Sequence, residues 1–136
     1  MVQDKADITT HLVETDKYTI RELEPGLLET VIKNNATIES RDAWEIKKYN
    51  LKISNNKPYV VLVTSGHLSS VSRGAREVVA SKEYVGNTIA KALLVESLGH
   101  RIVGNFYLAV NKPFIKTRMF TEREEALAWL RKELNT

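Results

Sequence analysis

The segment Tyr59-Val60-Val61-Leu62-Val63 follows a proline and holds no charged residue. A strand with one wet face alternates apolar and polar side chains, whereas an unbroken, β-branched apolar run marks a strand buried on both faces. Covering both faces of a sheet takes a layer on each side, which points to an α/β domain. With 136 residues the chain suits one such domain and can build a core without metals or disulfides.

The flanking segments fit that frame. Lys17 to Glu24 alternates with a period of two, Pro25-Gly26 is a turn signal, and Leu27 to Lys33 supplies a returning strand, so a β-hairpin closed by Asn34-Asn35 is predicted. Ser40 is the expected N-cap of a helix through about Ile53, with Trp44, Ile46 or Lys47, Tyr49 and Leu51 as an imperfect stripe and Asn55 to Pro58 as its stop. After the buried strand come a short helix from Ser72 to about Ser81 and a strand from Asn87 to Val95, its apolar members Ile89, Leu93, Leu94 and Val95. A helix follows from Glu96 to Val110, ended by Lys112-Pro113, and then a strand from Phe114 to Phe120. Thr121-Glu122-Arg123-Glu124 fits a capping box for a last helix with Ala126, Leu127, Leu130 and Leu134 inward and Trp129 beside them. The predicted order is ββαβαβαβα: an α/β fold with a mostly parallel mixed sheet, an N-terminal β-hairpin and crossover helices. Residues 1–136 are read as a single domain, with residues 1–9 a loose N-terminal segment.

Several function classes are set aside. The net charge is +3, but the basic residues are interleaved with acids. Lys47, Lys48, Lys52, Arg123, Arg131 and Lys132 therefore read as a solvated mixed-charge surface, and no nucleic-acid partner is expected. No apolar run approaches the ~20 residues of a membrane span. The first ten residues lack an apolar signal core and cysteine is absent, so a cytoplasmic location is expected. His11, His67 and His100 are not at metal-ligand spacing, and neither a phosphate loop nor a dinucleotide fingerprint occurs, so no metal and no cofactor are expected. Gly66-His67-Leu68-Ser69-Ser70 lacks the last glycine of a nucleophile elbow. His67 beside Ser65, Ser69 and Ser70 is read as a turn histidine, and the chain is not expected to be an enzyme.

Two features are candidates for binding. The turn after the buried strand places Ser69, Ser70, Ser72 and Arg73 around a helix N-terminus, where free N–H groups favour anions. Ser72 also serves there as an ordinary cap. The segment 98–110 is apolar around nearly its whole circumference after Arg101. Such a helix is either sandwiched in the core or carries a second face for a partner. Gly104 in its middle would be explained by close approach of another backbone.

The order of elements, with a strand ending in Val63-Thr64-Ser65-Gly66 and leading into a short helix, resembles the STAS domain, the sulphate-transporter and anti-sigma-factor-antagonist family. It is most similar to small stand-alone SpoIIAA-like bacterial proteins. The resemblance runs over about residues 17–134 and is carried by Tyr18 to Lys33, Ile38 to Ile46, Lys57 to Ser81, Ile102 to Asn111 and Phe120 to Leu130. Phrases such as Asn56-Lys57-Pro58-Tyr59, Gly104-Asn105-Phe106 and Asn111-Lys112-Pro113 belong to it. It implies a regulatory module that binds a protein partner and, in the anti-sigma pathway, accepts phosphate on a serine at the start of the helix after the buried strand. Aligning Val71 with the isoleucine of that family's pattern puts Arg73 and Gly74 where its serine pair stands, so the acceptor serine is not in register. The resemblance then implies a non-enzymatic interaction module docking a protein near 69–76, through His67, Ser69, Ser70, Ser72, Arg73 and Arg76. The related SEC14-like architecture implies an alternative: a lipid or other small apolar ligand held against helix 98–110 by Ile102, Phe106, Tyr107 and Val110. Self-association through that helix is compatible with both.

Overall fold

The structure is a computed structural model and describes residues 7–9 and 12–136. Among the described residues there are nine strands: β1 Asp7–Thr9, β2 Leu12–Glu14, β3 Tyr18–Glu24, β4 Leu27–Ile32, β5 Thr37–Ile38, β6 Tyr59–Ser65, β7 Ser70–Val71, β8 Thr88–Leu94 and β9 Lys116–Phe120. The helices are α1 Ser40–Ile53, α2 Arg73–Ala80, α3 Leu98–Phe106 and α4 Arg123–Leu134. Seven strands form one sheet in the order β1-β2-β3-β4-β6-β8-β9. Strands β1 to β4 pair antiparallel, and β4, β6, β8 and β9 run parallel. The α/β fold and mixed sheet are thus as expected, with the hairpin Tyr18–Ile32 turning at Gly26, whose φ is +81°.

The apolar run divides its side chains as a doubly covered strand must. Val60 and Leu62 join Leu27, Ala90, Ala92 and Phe120 against Ala126, Leu127 and Leu130 of α4. Tyr59 and Val61 face the other way with Leu28, toward Leu51 and Ile53 of α1. On that second side Ile20, Ile32, Ala43, Tyr49 and Ala75 form the core beneath α1 and α2.

Several local expectations are corrected. Asp7–Thr9 is not loose but pairs with β2; residues 1–6 and His11 lie outside the described residues. The two-residue ladder β5–β7 was not anticipated. Glu39, not Ser40, caps α1, because its N–H donates to Asp42 Oδ2 at 2.9 Å in a reciprocal capping box. Helix α4 starts after Glu122, so the Thr121 box does not form. Helix α3 is shorter than the span 96–110: Ser97 caps it and a π-turn, Tyr107–Asn111, replaces its end.

One buried charge ties the α4 layer to the sheet. Glu29 on β4 is 2 % exposed. It accepts from Arg123 Nη1 at 2.7 Å and Nη2 at 3.2 Å, and from Arg21 Nε at 3.2 Å. Burial alone would raise its pKa, but the two guanidiniums outweigh burial and hold the carboxyl below its ordinary 4.5. A carboxylate depressed in the fold lends stability above its unfolded pKa and loses it as pH falls through the folded value. Arg123→Leu is expected to cost about 2 kcal/mol in urea unfolding at pH 7, since it removes two charge-assisted hydrogen bonds and leaves the buried Glu29 with Arg21 alone. The acid limb of its stability curve below about pH 4.5 should be shallower than that of the wild type.

Candidate functional site

The loop after β6 is pinned to the chain that follows β4. Gly66 N–H donates to Ile32 O at 2.7 Å, His67 N–H to Asn34 Oδ1 at 2.8 Å and Ser70 N–H to Ala36 O at 2.9 Å. Gly66 is required here, because a Cβ would lie 2.6 Å from Asn34 N and 2.7 Å from Ile32 O. This stitching holds β7 and the start of α2 over the carboxyl end of the parallel strands, where sheets of this type commonly bind ligands.

Below it lies a cavity of about 240 Å³ between the sheet and helices α1, α2 and α3. Residues from both ends of β6, Tyr59 and Ser65, line it, as do Thr88 and Leu94 from both ends of β8. Ile32, Val61, Val63, Leu93 and Ile115 make its apolar wall. An apolar cavity of about 150 Å³ accepts benzene, so a small organic molecule fits.

The polar wall comes from two lysines. Lys91 stands in the middle of β8 between Ala90 and Ala92 and is 9 % exposed. Lys47 projects from α1 on the same face as Ala43 and Asn50 and is 6 % exposed. Lys47 Nζ donates to Thr88 Oγ1 at 2.6 Å, Tyr59 OH at 3.1 Å and Val85 O at 3.2 Å. Both ammonium groups lie against the Tyr84 ring, at 4.4 Å and 5.4 Å from its centroid, and Tyr84 is fixed by donating to Ala43 O at 2.7 Å. Burial, and then the charge of Lys91, brings the Lys47 pKa down to about 7. Burial brings Lys91 down to about 8. Burial also pushes the Tyr107 hydroxyl well up. Thr30 Oγ1, Asn50 Oδ1 and Tyr107 OH are buried with no hydrogen-bond partner among the described residues, and all three residues line the cavity.

The residues singled out in sequence fall into separate places. Ser72 Oγ accepts from Ala75 N–H at 3.1 Å as the cap of α2. Ser69 is buried and donates to Gly66 O at 2.7 Å, and Ser70 Oγ pairs with Thr37 Oγ1 at 3.1 Å. Arg73 is exposed beside Glu77 at 3.3 Å, and His67 is exposed in the turn. Arg76 turns inward, donating to Val71 O at 2.6 Å, and with Ser69 and Ser70 it lines the cavity; Ser72, Arg73 and His67 do not. Helix α3 is not sandwiched. His100, Val103, Gly104 and Tyr107 face the cavity, while Ile102, Phe106 and Val110 are each more than half exposed on the far side. The neighbour that explains Gly104 is a side chain rather than a backbone: a Cβ would lie 2.6 Å from Met119 Sδ.

Lys47 was expected on a solvated surface and is instead buried, and Lys91 was passed over. The sequence does carry a trace of each. Lys91 is the one charge inside Ile89-Ala90-Lys91-Ala92-Leu93-Leu94, and Lys47 falls on the apolar stripe of its helix. Among the described residues no group of three or more acidic or histidine side chains could hold a metal ion, and no helix is long and apolar enough to cross a membrane.

The architecture is that of a SpoIIAA-like fold. It matches the crystal structure of an uncharacterised protein from the DUF3478 family with a SpoIIAA-like fold, from Shewanella loihica PV-4, with a TM-score of 0.53 and 11 % identity, over 96 % of this chain and 98 % of that one. The chain belongs to the family described as Domain of unknown function (DUF7793), whose model matches residues 21–134. No curated protein matches it.

A buried cation without a counter-ion weakens the fold that holds it, and a well-packed apolar replacement is often neutral or stabilising. Lys91→Met is therefore expected to raise the stability of the ligand-free protein at pH 7 by about 1 kcal/mol. A lysine whose pKa is lowered binds fewer protons folded than unfolded, so wild-type stability should rise between about pH 8 and 10. Lys91→Met should flatten that rise, as read by chemical unfolding across the range.

Proposed function

We propose that this protein is a non-enzymatic, cytoplasmic ligand-binding module with a regulatory role, and that the small molecule it holds sits in the cavity between the sheet and α1, α2 and α3. The observation that carries this reading is the cavity itself, about 240 Å³ between the sheet and three helices, with a mainly apolar wall into which the buried Lys47 and Lys91 are gathered. Few convergent polar groups on a mainly apolar wall is the usual make-up of a small-molecule site. The absence of an in-register acceptor serine turns the reading away from a phospho-switch, since Ser72 is engaged as a cap and Ser69 is buried.

A second reading, docking of a protein partner or a second copy, is favoured by the exposed apolar stripe Leu98, Ile102 and Phe106 on α3, continued by Val110 in the π-turn that follows. Around 67–76, His67, Ser70 and Arg73 are exposed and open to a partner, with Arg76 directed inward. The two readings are compatible, because α3 has one face on the cavity and one on solvent.

Native mass spectrometry of freshly purified protein separates them. The first reading predicts a retained small molecule, or a saturable single adduct on adding amphipathic compounds; the second predicts a dimer or a co-purifying chain that Ile102→Ser with Phe106→Ser removes. A bare monomer that takes up no compound would contradict both.

A further inference from the structure

We infer that the cavity takes an anion: a small amphipathic carboxylate whose charged end lies against Lys91 and whose apolar body fills the space along Val61, Val63 and Leu93. This rests on the ligand-binding reading above and adds the ligand's charge and orientation.

The charge inventory of the wall is one-sided. Lys47, Lys91 and Arg76 line the cavity, and no aspartate or glutamate does. None of the three is in an ion pair among the described residues. Buried charges in folded proteins are ordinarily paired, so the missing partner is an anion from outside the chain.

The hydrogen bonds say which cation is open. Lys47 uses its three donors on Thr88, Tyr59 and Val85. Arg76 donates through Nη1 to Val71 O at 2.6 Å and is only part-buried, so water reaches it and the buried cation left open is Lys91. Lys91 Nζ makes no hydrogen bond among the described residues; its contact is the face of the Tyr84 ring at 5.4 Å. With one open ammonium, the site suits a monoanion better than a phosphate dianion, which would need further cations to leave water. Most of the remaining wall is apolar, with Asn50, Ser65, Ser69, Ser70 and His100 as further polar members, which favours an anion with a hydrocarbon body over a fully polar one.

Calorimetric titration of the full chain at pH 7 with octanoate, 1-octanol and octylammonium tests this, because the three share a tail and differ in charge. Octanoate should bind at least tenfold more tightly than 1-octanol, and octylammonium more weakly than either. In Lys91→Met and in Lys91→Gln the preference of octanoate over 1-octanol should fall to threefold or less while 1-octanol still binds. In Ile102→Ser, on the outer face of α3, it should persist. Equal binding of octanoate and 1-octanol would overturn the anion assignment and leave the cavity reading standing. Binding of none of the three would overturn both. A preference that survives in both Lys91 variants and disappears in Arg76→Gln would overturn the placement of the charge.

Discussion

Strand β6 has to be covered on both faces, and the rest of the molecule follows from that. Its alternate side chains go to opposite layers: Val60 and Leu62 to α4, and Tyr59 and Val61 to α1. The two layers meet the demand differently. On the α4 side the sheet presents small residues, Ala90 and Ala92, and the helix sets Ala126, Leu127 and Leu130 directly onto them. Helix and strand approach closely, and the layer is locked from outside by the Glu29–Arg123 pair. On the other side the sheet presents Lys91 among larger residues, and three helices instead of one cover it. The cavity lies in that second layer, so one half of the protein is a rigid backing and the other is a container.

Most of the framework was legible in the sequence because it depends on periodicity. The unbroken run at Tyr59, the alternation from Lys17 and the stripe Ala126-Leu127-Leu130 each state which side chains are covered. The order of elements and the likeness to SpoIIAA-like proteins followed from them. What was missed depends on partners distant in the chain. Asp7–Thr9 becomes a strand only by pairing with Leu12–Glu14, and polar composition gives no hint of that. Thr37–Ile38 and Ser70–Val71 form a ladder across more than thirty residues, set by the clasp between Gly66 and Ile32. Glu39 displaces Ser40 as a cap because Asp42 answers its N–H.

The candidate site was legible only in part, for a related reason. Sequence reasoning weighs a lysine as a surface residue, since burying one without a partner is costly. Lys47 looked like one member of a solvated series, yet it lies on the inward face of α1 and is anchored by Tyr59 and Thr88, residues from two different strands. The helix 98–110 posed a clearer question, core or interface, and the structure divides it: Tyr107 looks inward, and Ile102, Phe106 and Val110 look outward. The serine-rich junction at 69–72, the most conspicuous feature in sequence, largely holds the roof of the cavity in place.

The most direct test of this account is a crystal structure of the protein grown with 8-bromooctanoate, located by the anomalous scattering of its bromine. The account predicts one bromine peak inside the cavity along Val61, Val63 and Leu93, with the carboxylate within hydrogen-bond distance of Lys91 Nζ. A bromine found solely on the outer face of α3, at Ile102 and Phe106, with the interior unchanged, would contradict it.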